Sequence, residues 1–94
     1  MMSDEIKSYS KVAVLYGGSS SEREISLITG KAVFESLQFK GIEVILIDTI
    51  EPFIEVLKTE RVTHAWIALH GSDGEDGKIQ SILNMLNIKY TGSD

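Results

Sequence analysis

The hydrophobic positions of this chain fall into short runs, and two of these runs end abruptly in polar, glycine-rich segments. The first run, Lys11–Tyr16, is followed by Gly17–Ser26, and the second, Ala65–Leu69, is followed by His70–Gly77. Each polar segment leads into a helical pattern, and a buried strand that breaks into glycine and then a helix is typical of a parallel sheet. Ligands of open α/β sheets bind at the carboxyl ends of the strands, so the two segments predict two walls of one small-molecule site.

The rest of the pattern predicts strands and helices in alternation. Strands are expected over Lys11–Tyr16, Ile42–Asp48, Thr63–Leu69 and Ile88–Tyr90, and helices over Glu22–Lys40, over Pro52–Thr59 and from about Glu75 onward. Gly41 stands where a left-handed residue is expected to end the first helix. This order predicts an α/β fold, a three-layer open parallel sheet with right-handed crossovers and helices on both faces.

The long first helix carries apolar residues on two sides. One stripe, which we expect to cover the sheet, consists of Ile25, Ile28, Ala32 and Phe39. Leu27 and Phe34 lie on nearly the opposite side, and a helix that is apolar on two sides usually packs against two partners. The second partner is either a domain outside this chain or the neighbouring helices of this one.

Composition narrows the class of protein. The 94 residues are enough for one domain, and the apolar content of 43% is ordinary for a globular fold. The absence of cysteine excludes disulfides and thiolate metal sites and fits a reducing compartment. The net charge of −5 and the scattered Lys and Arg residues argue against a nucleic-acid partner.

The ends of the chain bear on location and completeness. The amino terminus has no apolar stretch typical of a signal peptide, and no run approaches the ~20 residues that a membrane span needs, so we expect a cytoplasmic protein with no membrane partner. Residues 1–10 are polar and expected to be flexible, with the domain over 11–94. The stop at Asp94, directly after a strand-like segment, indicates one part of a longer protein, although a natural stop is the alternative.

The segment Gly17–Ser26 offers backbone N–H groups at a helix start, which attract anions. It contains neither GxGxxG nor the Gly-Lys-Ser/Thr of a phosphate loop. Glu22 would repel a phosphate and attract an ammonium, so a zwitterion fits this segment better. The alternative is that Glu22 only complements the helix dipole, with one of the serines at 19–21 as N-cap.

The second segment combines His70 with Gly71, which lets another group approach the backbone closely. The alternative is a histidine with a purely structural role. Asp73, Glu75 and Asp76 stand at a helix start, where acidic residues stabilise the dipole. Consecutive carboxylates at such a position point in different directions, so we do not interpret them as a metal site.

Three further polar residues are interpreted as structural. Arg23 is expected to be a solvated partner of Glu22 or Glu24, and His64 to be a surface residue before the third strand. Asp48 ends the second strand, where a dinucleotide-binding fold places its ribose-binding acid. Because the glycine fingerprint is missing, we expect Asp48 to cap a turn instead.

Together, the segments GGSSSEREISLITG and IALHGSDGEDGKIQSILNMLNIKYTGS resemble the amino-terminal domain of the bacterial D-alanine–D-alanine ligases. The resemblance extends from about Lys11 to Ser93 and rests on two long motifs that agree in residue type, order and separation. It implies a Rossmann-like pre-ATP-grasp domain within an ATP-grasp enzyme.

The resemblance implies a reaction that uses ATP with Mg²⁺ (or Mn²⁺) to phosphorylate the carboxylate of one D-alanine. The amine of a second D-alanine then attacks the acyl phosphate, and the dipeptide enters peptidoglycan precursors. By resemblance, Glu22 belongs to the catalytic site and lies by the ammonium of the first D-alanine, His70 with Gly71 lies by its carboxyl end, and Ser26 fixes the region around the glutamate.

The family's nucleotide and metal ligands lie in ATP-grasp domains outside this sequence, so none is assigned to a residue here, and the chain alone is expected to be inactive. The resemblance also implies a homodimer. One departure is Asp94, where the family usually has glycine. Three alternatives stay open: a non-catalytic binding module of the same fold, a ligase that takes D-lactate or D-serine second, and a nucleotide-binding Rossmann module without its fingerprint.

Overall fold

The computed structural model describes residues 10–70 and 77–92, and in these ranges four strands alternate with three helices. The elements are β1 (Val12–Tyr16), α1 (Arg23–Phe39), β2 (Val44–Asp48), α2 (Ile54–Thr59), β3 (His64–Ile67), α3 (Lys78–Met85) and β4 (Lys89–Gly92). The predicted order is confirmed, with boundaries that differ by a few residues, as element ends commonly do. Gly71, Asp73, Glu75, Asp76 and Asp94 lie outside the described residues.

The four strands form one parallel sheet in the order β2-β1-β3-β4. Strand β1 is central, and Val14 pairs with Leu46 of β2 on one side and with Trp66 of β3 on the other. The middle of β1 is fully buried, as its continuously apolar sequence predicts. Strand β4 is exposed along its length and forms one edge of the sheet.

Helices cover both faces of the sheet, which confirms the three-layer architecture. On one face, Ala13 and Leu15 of β1 join a buried cluster that includes Leu57 of α2 and Leu83 of α3. Side chains alternate between the faces of a strand, so the next residue, Tyr16, points to the opposite face. There α1 packs against β1 and β2.

The prediction of which side of α1 covers the sheet is wrong. The stripe expected to be buried is exposed instead: Ile28 is 73% and Phe39 93% accessible. The buried positions of α1 are Ser26 and Gly30, both small, and a side chain at Gly30 would overlap Tyr16. α1 can approach the sheet closely only where its residues are small, so the side that contains Ser26 and Gly30 is buried. The pattern of large apolar residues alone does not reveal this requirement.

All three helices end in the same way. Gly41 has φ +82° and its N–H donates to Gln38 O at 3.0 Å, which confirms the predicted left-handed end of α1. The next residue then bonds back to a leucine five positions earlier, the Schellman arrangement. These bonds join Ile42 to Leu37 at 3.1 Å, Val62 to Leu57 at 3.1 Å, and Ile88 to Leu83 at 2.9 Å.

Candidate functional site at the carboxyl end of the sheet

The chain leaves β1 through two consecutive glycines in the left-handed region, Gly17 at φ +81° and Gly18 at φ +77°. Residues with a side chain rarely adopt this conformation, and here there is no room for one either. A Cβ atom on Gly17 would overlap the carboxylate of Asp48 and lie 2.9 Å from Nη1 of Arg23. The turn therefore requires glycine for two independent reasons.

Asp48 and Arg23 lie beside this turn and bond to each other through both carboxylate oxygens. Nη1 of Arg23 donates to Oδ1 of Asp48 at 3.0 Å, and Nη2 donates to Oδ2 at 2.6 Å. Nη1 also donates to the carbonyl oxygen of Gly18 at 2.8 Å, while the Gly18 N–H donates to Asp48 Oδ1 at 3.3 Å. Both polar groups of Gly18 are thus held by this pair.

The pair also explains the charge states. The hydrogen bonds from Arg23 are the main cause that lowers the pKa of Asp48 below its ordinary value of 3.8. The N–H groups of Ile50 and Gly18 lower this pKa further, whereas burial of the carboxylate raises it. The contact with Asp48 also raises the pKa of Arg23. The Ile50 N–H donates to Oδ1 at 3.0 Å, so Asp48 caps the turn after β2.

The prediction for Arg23 is wrong, because its partner is Asp48 rather than Glu22 or Glu24. Sequence reasoning missed this pair since the two residues are 25 positions apart. The available signal was the strand order: β2 lies directly beside β1, so the end of β2 meets the turn that follows β1. His64 also differs from the prediction, being the half-buried first residue of β3, with Nδ1 2.8 Å from Oγ1 of Thr63.

Ser26 is fully buried and joins α1 to two strands. Its hydroxyl accepts the N–H of Gly17 at 2.7 Å and donates to the carbonyl oxygen of Ala68 at 2.5 Å. Gly17 follows β1 and Ala68 follows β3. The hydroxyl therefore fixes the start of α1 against the carboxyl end of the sheet.

The first segment also contacts the second directly. The hydroxyl of Ser20 donates to the backbone carbonyl oxygen of His70 at 3.1 Å. Nε2 of His70 is buried from solvent and has no hydrogen-bond partner within residues 10–70 and 77–92. A buried imidazole nitrogen without a partner is costly, and a ligand that bonds to it would remove this cost. Gly71, predicted beside His70, lies outside the described residues.

Glu22 is the N-cap of α1, so none of the serines at 19–21 takes that position. Its N–H donates to Oγ of Ser20 at 3.2 Å, and its carbonyl oxygen accepts the N–H of Ser26 at 3.1 Å. The carboxylate itself is exposed and makes no capping hydrogen bond. The backbone of Glu22 is therefore held on both sides while its carboxylate faces solvent at the positive end of the helix.

A cavity of about 310 Å³ opens beside this turn. Its lining is mixed apolar and polar, formed by Gly18, Ser19, Thr49, Ile50, Phe53, Leu69, Lys78, Ile79 and Ile82. Neither Glu22 nor His70 lines it, so it adjoins the predicted site without containing these two residues. Within the described part of the chain, no group of three or more His, Asp or Glu residues is arranged to hold a metal ion. Across the same ranges, no helix is both long and apolar enough to cross a membrane.

Comparison with known proteins gives one consistent result. The family model for the D-ala D-ala ligase N-terminus matches residues 11–55 and 50–93. A D-alanine–D-alanine ligase of Dichelobacter nodosus is 58% identical over 84 residues, which are 88% of this chain and 27% of the relative. The ligase of Pseudomonas entomophila is 47% identical over 89 residues, 95% of this chain and 28% of the relative.

A solved structure agrees with the sequence relatives. The D-alanine–D-alanine ligase of Bacillus anthracis, complexed with ATP, superposes with a TM-score of 0.73 at 34% identity, covering 87% of this chain and 28% of that one. The chain therefore spans little more than a quarter of the length of these relatives.

Proposed function

Because the chain belongs to the family of D-alanine–D-alanine ligase amino-terminal domains, we propose that it forms the first-substrate wall of an ATP-dependent D-alanine–D-alanine ligase. In this reaction the carboxylate of one D-alanine becomes an acyl phosphate, which the amine of a second D-alanine attacks with release of phosphate. The dipeptide product is a precursor of peptidoglycan.

The observation that carries this proposal is the joining of the two polar segments by the Ser20–His70 hydrogen bond of 3.1 Å. It brings the segment of Glu22 and the segment of His70 to one end of the sheet. A free amino acid is a zwitterion and needs a negative group for its ammonium and a donor for its carboxylate. Glu22 supplies the first, and Nε2 of His70, which has no hydrogen-bond partner among the described residues, supplies the second in its N–H tautomer.

The other predicted site residues take supporting roles. The hydroxyl of Ser26 has donated its only proton to Ala68, so we assign it the task of holding the glycine turn rather than contacting D-alanine. Gly71 lies outside the described residues, so its place beside the substrate stays a prediction from the sequence. These assignments refine the sequence prediction that Ser26 fixes the region around Glu22.

ATP and Mg²⁺ are proposed to bind to the part of the ligase that corresponds to the remaining length of the relatives. The described residues do not fit these groups: the turn after β1 lacks the Gly-Lys-Ser/Thr sequence of a phosphate loop, and Asp48 already pairs with Arg23. We expect the 94-residue chain alone to catalyse no ligation, because such catalysis depends on groups held in position by several domains.

The test is ATP-dependent phosphate release with D-alanine, measured on the complete product of the reading frame and on its Glu22→Gln variant. The Glu22→Gln variant loses a charge-assisted contact of about 1.5–3 kcal/mol, so we expect its KM for the first D-alanine to be raised by ~10- to 100-fold. Glu24→Gln is the matched control, since Glu24 is also an exposed acid in the first turn of α1. Equal effects of the two variants would assign Glu22 to the helix dipole alone.

The same assay separates the alternative functions. A wild-type protein that releases no phosphate with D-alanine would contradict the ligase proposal and favour a binding module of the same fold. Release that requires D-lactate or D-serine as second substrate would place the protein among the related ligases. A homodimer in the cytoplasm is part of the proposal, and a monomeric sedimentation profile at high concentration would contradict the dimer.

A further inference from the structure

Gly18 is held at both ends of its backbone by one charged pair. Arg23 begins α1 and Asp48 ends β2, so the pair connects two elements across the glycine turn that precedes Glu22. One carboxylate oxygen, Oδ1, accepts from Gly18 N and Arg23 Nη1, and the same Nη1 donates to Gly18 O. This closed set of bonds fixes the direction in which the chain enters α1.

Glu22 depends on this arrangement because its contacts with Ser20 and Ser26 hold only its backbone, and the turn sets where that backbone lies. The carboxylate makes no capping contact, and its backbone φ and ψ of −101° and 23° lie outside the helical values. The residue lies between the fixed turn and the first helical residue, Arg23. Any movement of the turn therefore moves the carboxylate relative to His70.

The pair has an electrostatic consequence as well. Arg23 is the immediate neighbour of Glu22, and a guanidinium without a partner would compete with a substrate ammonium for the glutamate carboxylate. In the observed structure, both terminal nitrogens of that guanidinium are bonded to the two oxygens of Asp48. The negative charge of Glu22 is thereby left for another cation.

We propose that Arg23 and Asp48 act as a positioning pair for the first substrate: they orient Glu22 and keep the Arg23 guanidinium away from its carboxylate. This inference rests on the proposed function and goes beyond it by assigning a role to two residues that do not contact D-alanine. It predicts that Asp48 matters more than Arg23, because loss of Asp48 both loosens the turn and releases a competing cation.

The experiment compares the complete ligase with Asp48→Asn, Arg23→Gln and the double variant, using the rate as a function of D-alanine and of ATP concentration. We expect Asp48→Asn to raise the KM of the first D-alanine by ~10-fold or more, since a displacement of about 1 Å can cost up to ~100-fold. The KM of ATP is expected to stay within about 2-fold. The double variant is expected to have a KM of the first D-alanine between those of the wild type and Asp48→Asn, because it lacks the guanidinium that Asp48→Asn leaves without a partner.

That partial recovery of KM is the result a purely structural role would not produce. If the pair only stabilised the fold, the double variant would be at least as impaired as Asp48→Asn, and kcat would fall with the folded fraction measured by circular dichroism. Glu55→Gln removes an acid from an exposed ion pair on α2 and serves as a control with unchanged KM.

If Asp48→Asn does not fold, Arg23→Lys takes its place, because it keeps the charge but loses the paired donors. A first-substrate KM equal to that of the wild type in Arg23→Lys would then overturn the inference. The two proposals fail distinguishably. Wild-type activity with an unchanged KM in the folded variants rejects only the positioning pair, whereas a wild type without D-alanine-dependent activity rejects the ligase function and the pair with it.

Discussion

Ser26 donates its hydroxyl proton to the carbonyl oxygen of Ala68 at 2.5 Å, which ties the start of α1 to the chain just beyond β3. The same hydroxyl accepts the N–H of Gly17, the first residue after β1. A single buried oxygen thus links the segment that carries Glu22 to the chain two residues before His70. It supports the contact that Ser20 makes with His70.

Replacing Ser26 with alanine leaves the Gly17 N–H and the Ala68 carbonyl without this partner in a buried environment. We expect a loss of about 2–3 kcal/mol in the free energy of unfolding, measured by urea titration of the 94-residue chain. Ser36→Ala, at an exposed position of the same helix, is the control and is expected to change it by at most ~0.5 kcal/mol. A Ser26→Ala chain as stable as this control would contradict the bridging role.

Gly30→Ala is expected to destabilise the chain although it improves helix propensity. An added Cβ would overlap the Cβ of Tyr16 and lie 2.8 Å from its Cδ2. Overpacking of this kind costs about 1–3 kcal/mol, against a propensity gain of ~1 kcal/mol. The control is Ala32→Gly on the exposed side of α1, which is expected to lower the free energy of unfolding by ~1 kcal/mol. A higher melting temperature in Gly30→Ala would show that α1 can move away from β1 without cost.

Arg61→Gly is expected to stabilise the chain. Arg61 has φ +57° after α2, a conformation that costs a residue with a side chain about 1–2 kcal/mol. The greater freedom of glycine in the unfolded chain offsets part of this, so we expect a net gain of about 0.5–1 kcal/mol. Thr59→Gly, at an exposed position in the last turn of α2, is the control and should destabilise. The measurement is the melting temperature of both variants. A melting temperature of Arg61→Gly below that of the wild type would refute the strain argument.

Asp48 predicts a specific acid dependence of stability. Its folded pKa is lowered, chiefly by Arg23, so its contribution is present above its ordinary pKa of 3.8 and is lost as the pH falls through the folded value. We therefore expect the free energy of unfolding, measured by urea titration from pH 7 to pH 2.5, to fall less in Asp48→Asn than in the wild type. The difference is expected below about pH 4–5. Glu24→Gln is the control, and a decline in Asp48→Asn as steep as in the wild type would exclude this contribution.

The position of the candidate site, at the carboxyl edge of the sheet, could be predicted from the sequence because it depends on local signals. A continuously apolar run such as Val12–Tyr16 predicts a buried parallel strand, and glycine after such a run predicts a turn at the carboxyl edge of the sheet. Two such turns are brought together by any parallel sheet in which their strands are neighbours. The contact between Ser20 and His70 is one realisation of that expectation.

The sequence by itself determined the order of the elements, the parallel sheet and the left-handed end of α1, because periodicity and glycine act over a few residues. The tertiary structure alone decided which side of α1 is buried and which partner Arg23 takes. Both depend on distances between elements: the small residues Ser26 and Gly30 admit α1 close to the sheet, and the position of β2 beside β1 brings Asp48 to Arg23. A linear pattern of apolar and charged residues contains no such distances.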